Sequence, residues 1–237
     1  MMNRTDEAVT EARLWTSSMR AGTDKYWPSL RVLLSGIGIV PERAAVGELS
    51  MEQLGPFVVV VTENQRALAI ELELLDPRDT SRIDIHYWKE LEASGPDRGA
   101  YALPIYAALV VLSGESSHDP ITVLVENLQW KSETMQQDVH GHWRVFRESV
   151  ERKGIDPTQA VLIDWGDVAS RGSETVRTGW LLWRGSVFAF SAPVDVTSER
   201  VGAVTSWEEL DRETAERQAG ALLEAAFRIQ DSRGRDA

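Results

Sequence analysis

The feature of this sequence that most restricts its fold is a strand-like hydrophobic period between residues 57 and 88. An uninterrupted apolar run fills residues 57–61, and large apolar residues then alternate with alanine or glutamate over 68–74. Residues 83–88 alternate in the same way. A period of two is typical of half-buried strands, so residues 57–88 predict an antiparallel meander with one core face and one polar face.

Helical spacing appears on both sides of the meander. Apolar residues lie three or four apart over 6–21, behind Thr5, and again in a short segment that begins at Pro28. We also predict helices over 104–112 and over 142–153, which Gly154 ends. Ser206 and Glu209 have the spacing of a capping box, which predicts that a long C-terminal helix begins there.

The middle of the chain predicts a strand–helix–strand unit. Residues 121–130 have the composition of a strand, the helix over 142–153 follows, and an apolar strand covers 160–165. This order predicts a right-handed βαβ-like crossover over 121–165 with parallel strands. Arg184 and Gly185 divide residues 176–192 into a tight hairpin.

The predicted fold class is therefore α+β: a mixed sheet with the meander, the crossover and the hairpin, flanked by N- and C-terminal helices. Residues 93–100 collect Gly, Pro and Ser and form the best candidate boundary, although neither side shows an internal repeat. We predict a single domain over 1–237, with two subdomains divided at 93–100 as the alternative. The tail, 231–237, is expected to be disordered.

The charge of the chain restricts its partners. Thirty-seven Asp and Glu against 25 Lys and Arg give a net charge of −12. Nucleic acids and anionic membranes attract Lys and Arg, so we expect neither as a partner and favour a basic protein. The chain has no cysteine, which excludes thiol chemistry. The N-terminus lacks the apolar core of a secretory signal, and we expect a cytoplasmic protein.

Nine tryptophans provide candidate anchors for such a partner. Three of them, Trp88, Trp130 and Trp165, fall at polar alternation positions or at predicted strand ends. A partly exposed indole beside carboxylates is typical of protein-interaction hot spots. We therefore predict a partner-binding surface formed by Trp88, Trp130 and Trp165 with Asp164 and Asp167.

A metal site is the alternative at the predicted crossover. The carboxyl ends of its two strands and the start of its helix would meet at one sheet edge. That edge would gather Glu126, Lys131, His140, His142, Asp164 and Asp167. Imidazoles and carboxylates of this kind bind a divalent ion that activates water. The simpler interpretation is a polar loop at 136–142 and a turn around Gly166, because a His-x-His pair without a third spaced ligand is a weak signature.

The polar face of the meander also brings acidic residues together. Pairing of its last two strands places Glu73 near Asp84, and Glu71 near His86, within a residue or two of register. Paired carboxylates serve as acid and base in glycoside hydrolysis. An exposed face nevertheless tolerates such a pair at little cost, so we favour a solvated surface.

These observations predict a non-catalytic, acidic interaction protein of the adaptor, regulator or antidote type, which needs no cofactor. The alternatives are a metal-assisted hydrolase with its site at residues 126–142 and 164–167, and a carbohydrate-binding module. Stacking of sugars on exposed indoles would support the module. The sequence does not predict the oligomeric state.

Overall fold

The computed structural model shows two compact units, Arg4–Val123 and Leu124–Ala237, the second with Met1–Asn3. It describes residues 3–22, 25–51, 55–76, 79, 81–91, 101–113, 119–137, 143–164, 168–171, 174–195 and 200–235. The boundary predicted at 93–100 lies outside these residues. The division between the units falls inside a helix, between Val123 and Leu124.

The first unit contains a four-stranded antiparallel sheet with helices before and after it. Its strand order is β1-β2-β3-β4, so the meander predicted over 57–88 is confirmed and extended by one strand. The elements are α1 (Arg4–Ala21), α2 (Trp27–Gly36), a 3₁₀ turn (Pro41–Arg43), β1 (Ala44–Ser50), β2 (Phe57–Thr62), β3 (Ala67–Leu74), β4 (Ile83–Glu90) and α3 (Ala102–Leu112).

Both faces of this sheet are covered, which explains the unbroken apolar run in β2. Val58 and Val60 pack with α2 and the C-terminal half of α1, where Met19 is fully buried. Val59 and Val61 pack with α3 on the opposite face. A strand that is covered on both faces needs no polar alternation, whereas the end of β3 alternates buried with exposed residues and most of β4 is exposed.

The second unit repeats the order of helices followed by an antiparallel sheet. Its main strand order is β10-β8-β7-β5, with two short strands, β6 and β9, added beside β7 and β8. The elements are α4 (Ile121–Gln137), which belongs to this unit from Leu124 onward, α5 (Arg144–Arg152), β5 (Val161–Asp164), β6 (Val168–Arg171), β7 (Glu174–Trp183), β8 (Ser186–Asp195), β9 (Arg200–Val201), β10 (Ser206–Leu210), α6 (Arg212–Ala219) and α7 (Ala221–Arg235).

The predicted crossover over 121–165 is wrong, although the α+β class is confirmed. Residues 121–130 belong to helix α4, and β5 pairs with β7 in antiparallel orientation. The β-branched residues Ile121, Thr122 and Val123 suggested a strand, but Leu124 and Leu128 are fully buried four residues apart. Tertiary packing along this helical stripe outweighs the local preference for a strand.

The predicted hairpin is confirmed residue by residue. Arg184 and Gly185 both have positive φ, and Trp183 pairs with Ser186 across the turn. Leu181 then lies opposite Phe188, and Leu182 opposite Val187. The two-residue turn sets this register, and the buried side chains on both faces stabilise it.

The C-terminal helix begins later than the sequence predicts. Residues 206–210 form strand β10, and the helix starts after Asp211, whose carboxylate accepts a hydrogen bond of 2.9 Å from the Thr214 amide. Helix α7 continues through residue 235, into the predicted tail 231–237. Arg233 of this helix donates to the Ala160 carbonyl at 3.1 Å, which attaches the segment to the unit.

No helix among the described residues is both long and apolar enough to cross a membrane.

Candidate functional site

A pocket of about 880 Å³ opens in the first unit between α1, the end of β1 and the start of α3. This volume falls within the range of ligand-binding pockets, roughly 300–1,000 Å³. Three carboxylates line it, those of Glu7, Glu11 and Glu48, and two aromatic side chains, Trp15 and Phe57, form part of its wall. The pocket therefore combines negative charge with apolar surface.

Helix α1 supplies one side of the pocket through a single face. Arg4, Glu7, Glu11 and Trp15 follow one another at intervals of three or four residues, which places them along one stripe of the helix. Glu7 and Glu11 are exposed, and Trp15 is half-buried against the core of the first unit. The stripe thus runs from charged residues at the N-terminus to an aromatic residue that packs on the core.

A β-bulge places Glu48 at this site. The register of β1 against β2 shifts between Val46 and Glu48, so Gly47 is the extra residue. Val46 lies opposite Val60, on the face packed by α2, whereas Glu48 lies opposite Val59, on the face packed by α3. Without the bulge, strict alternation would put Glu48 on the same face as Val46.

Gly47 also brings α3 close to the bulge. A Cβ atom on Gly47 would collide with the carbonyl oxygen of Pro104 in the first turn of α3. Only a residue without a side chain permits this approach of two backbones. Gly47 and Pro104 both line the pocket, so this close approach forms part of its wall.

The carboxyl of Glu48 has a raised pKa. Burial is the main cause, because it disfavours the charged form, and the negative charge of Glu11 adds to it. The charge of Glu48 is therefore only partly compensated by solvent. A cation that enters the pocket would lower this pKa and stabilise the ionised carboxylate.

Chemically, the pocket suits a cationic side chain with an apolar stem. Its three carboxylates outnumber its one basic side chain, Arg4. Lys and Arg place a charged head beyond a hydrocarbon chain, which matches carboxylates beside Trp15 and Phe57.

The predicted anchor Trp88 lies on β4, the edge strand of the first sheet, with 40% of its surface exposed. A bulge opposite Glu71 and Leu72 changes the alternation of β4. Trp88 therefore lies opposite Ile70, on the face of the sheet that α2 packs, instead of at the polar position that the alternation predicts. Tyr87 beside it is 53% exposed.

The remaining predicted partner-binding residues belong to the second unit. Trp130 is 42% exposed, on helix α4 instead of a strand. Asp164 is half-buried at the end of β5, opposite Trp180. Trp165 and Asp167 lie outside the described residues, so the predicted surface remains a prediction.

The metal site predicted at the crossover loses its structural basis. The sheet edge depended on parallel strands, and Glu126 is exposed on α4. His140 and His142 lie outside the described residues. Within the part of the chain that the structure describes, no three His, Asp or Glu side chains are grouped as a metal ion requires.

The acidic pair predicted on the meander is confirmed. Glu73 lies directly opposite Asp84, and Glu71 lies opposite Tyr87, one residue from the predicted His86. Glu71, Glu73 and Asp84 are all exposed, as a solvated surface requires.

Sequence reasoning missed the pocket residues Glu7, Glu11 and Glu48. The spacing of Glu7, Glu11 and Trp15 on one helix face was a visible signal. The position of Glu48 depends on the bulge and on the packing of α3, which no local pattern indicates.

Comparisons with protein-family models, with curated proteins and with solved structures found no match for this chain.

Proposed function

We propose that this protein is a non-catalytic, acidic interaction protein, of the adaptor, regulator or antidote type, that binds a basic protein partner in the cytoplasm. The observation that supports this function is the pocket of the first unit, in which Glu7, Glu11 and Glu48 lie beside Trp15 and Phe57. A lysine or arginine of the partner would enter the pocket, with its charge at the carboxylates and its stem along the aromatic wall.

The overall charge supports the same partner. A net charge of −12 attracts basic proteins over long distances and accelerates their encounter. The pocket then supplies a specific contact, because Glu48 is half-buried and is screened less by salt than an exposed carboxylate. The proposal therefore predicts an association rate that depends strongly on salt and a bound state that depends on Glu48.

The test uses a short, capped peptide of alternating arginine and leucine as the probe. We expect isothermal titration calorimetry to detect binding at low salt that weakens as salt is added. The same peptide with glutamate in place of arginine should not bind. Glu48→Gln should weaken binding by about tenfold, since loss of a charge-assisted contact costs about 1.5 kcal/mol.

Glu73→Gln is the matched control, because it removes the same charge from an exposed position on β3, outside the lining of the pocket. It should leave the affinity within about twofold, as a distant surface charge does. Equal weakening by Glu48→Gln and Glu73→Gln would show that only net charge matters and would contradict a role for the pocket.

A further inference from the structure

Two buried hydroxyl groups make the same contact in the two units. Thr16 Oγ1 of α1 accepts a hydrogen bond of 3.0 Å from the Val46 amide of β1. Ser132 Oγ of α4 accepts one of 3.1 Å from the Leu162 amide of β5. Each hydroxyl precedes its partner by 30 residues, and the two pairs lie 116 positions apart in the sequence.

Two arginines repeat with the same offset. Arg31 Nη1 donates to the carbonyl oxygen of Arg20 at 2.8 Å, and Arg147 Nη1 donates to that of Gln136 at 2.8 Å. In both units, a guanidinium on the second helix therefore binds a carbonyl near the end of the first helix. The positions again differ by 116.

The turn that follows the second helix is also the same. Gly38 and Gly154 adopt φ values of +82° and +84°. The next residue in each unit donates back to the helix, from Ile39 to Leu34 and from Ile155 to Val150. A glycine of positive φ with this hydrogen bond is a standard way to end a helix, but its occurrence at the same offset adds to the correspondence.

The cores beside these contacts correspond residue by residue. The first seven buried residues of the core in the first unit each have a counterpart 116 positions later in the sequence. Each counterpart belongs to the core of the second unit or packs against it. The pairs are Met19 and Met135, Trp27 and Trp143, Leu30 and Phe146, Leu34 and Val150, Ile39 and Ile155, Ala44 and Ala160, and Val46 and Leu162.

The bulge beside the pocket has a counterpart as well. The register of β5 shifts between Leu162 and Asp164, and that of β1 shifts between Val46 and Glu48. In both strands an acidic residue follows the bulge. With the offset of 116, eight of the 42 positions in 5–46 are identical to those in 121–162, too few to stand out as a repeat in the sequence alone.

We propose that the described parts of residues 5–46 and 121–162 are two copies of one structural segment. We also propose that, among the described residues, only the first copy, together with the bulge at its end, carries a binding site for a basic ligand. Independent sequences have no reason to share buried hydroxyls, arginine contacts, a turn and a bulge at one constant offset. The inference that the first copy binds a basic ligand rests on the proposed function, and the contrast with the second copy follows from the residues that differ between them.

The residues that line the pocket of the first copy are among the positions that differ. The counterparts of Arg4, Glu7, Glu11, Trp15 and Glu48 are Pro120, Val123, Asn127, Lys131 and Asp164, so a formal charge of −2 at these positions becomes zero. Gly47, which permits the close approach of α3, corresponds to the fully buried Ile163. The second copy thus keeps the scaffold and the acidic residue after the bulge but has no carboxylate at the positions of Glu7 and Glu11.

The first experiment exchanges the equivalent hydroxyls in the full chain. Thr16→Ser and Ser132→Thr should each leave the midpoint of thermal unfolding within a few degrees of the parent protein. Thr16→Val and Ser132→Ala should lower it by several degrees, because each leaves a buried strand amide without its acceptor. If both exchanges destabilise the protein as much as the deletions, the positions are not equivalent and the two-copy proposal is wrong.

The second experiment titrates the arginine–leucine peptide into Asp164→Asn and Glu48→Gln. We expect one peptide per chain, an unchanged affinity for Asp164→Asn, and about tenfold weaker binding for Glu48→Gln. Two peptides per chain, or equal weakening by both variants, would overturn the division between the copies while the proposed function stands. Complete absence of binding to the parent protein would refute both the proposed function and a site in the first copy.

Discussion

The two units use one scaffold to hold different chemistry after the bulge in their first strand. In the first unit Glu48 lines a pocket with Glu7 and Glu11, whereas in the second unit the counterparts of Glu11 and Glu48 are Asn127 and Asp164. The buried contacts of the scaffold are the same in both. The residues that stabilise this fold are therefore separate from those that line the pocket.

The largest expected effect tests the shared scaffold. Met19 and Met135 are both fully buried at equivalent positions. Met19→Ala and Met135→Ala should each lower the free energy of unfolding by about 2–5 kcal/mol, through lost apolar contacts and the remaining cavity. Urea denaturation followed by circular dichroism measures this loss.

Leu14→Ala, at a position of α1 that is 64% exposed, is the control and should change stability by less than about 0.5 kcal/mol. A large loss for one methionine and none for the other would break the correspondence of the two cores.

An intermediate effect is expected at the glycine that distinguishes the units. Gly47→Ala should destabilise the protein by about 1–3 kcal/mol, because the new methyl group collides with the backbone at Pro104. The same change should weaken binding of the arginine–leucine peptide, since α3 must move. Urea denaturation and calorimetry on one preparation measure both effects.

Gly36→Ala provides the matched substitution, because a Cβ on this helical glycine meets nothing within 4 Å. It should be neutral or stabilising by up to about 1 kcal/mol. If Gly47→Ala behaves like Gly36→Ala, the close approach of α3 does not shape the pocket.

The smallest effect concerns the pH dependence of stability. The pKa of Glu48 is raised in the folded protein by burial and by Glu11, so the folded state binds a proton more tightly than the unfolded state. Protonated Glu48 therefore contributes its full stabilisation of the folded state below the ordinary pKa of 4.5. This contribution is lost as the pH rises through the raised pKa of the folded protein. Glu48→Gln should therefore stabilise the protein near pH 7 and have little effect near pH 4.

Unfolding curves for the parent protein and Glu48→Gln across this pH range supply the measurement, with Glu73→Gln as the exposed control. A constant difference between the parent and Glu48→Gln at every pH would contradict the raised pKa. The raised pKa of Glu48 also affects binding, because a cationic ligand would release a proton from Glu48 at mildly acidic pH.

Much of the fold could be predicted because its strands and turns have local signals. The alternation over 68–74 identified β3, and Arg184 with Gly185 fixed the register of β7 against β8. Residues 121–130 were misassigned because their first residues are β-branched, and periodicity does not distinguish a short apolar strand from a buried helix. Only the packing of Leu124 and Leu128 decides between the two.

The candidate site was less predictable, for a related reason. Glu7, Glu11 and Trp15 share a helix face that the sequence displays, but Glu48 joins them only because Gly47 bulges out of register and α3 packs onto it. The bulge on β4 acts in the same way on Trp88, which it moves to the face of the sheet that α2 packs. A bulge changes the face of every later residue in its strand, and its position depends on the partner strand.

The sequence by itself determined the α+β class, the meander, the hairpin and the excess of negative charge, because these depend on neighbouring residues or on composition. Only the tertiary structure decided that α4 is a helix, that the acidic residues of α1 and β1 line one pocket, and that two segments 116 residues apart share the same buried contacts. Those features depend on residues far apart in the chain, whose proximity arises from packing and from strand register.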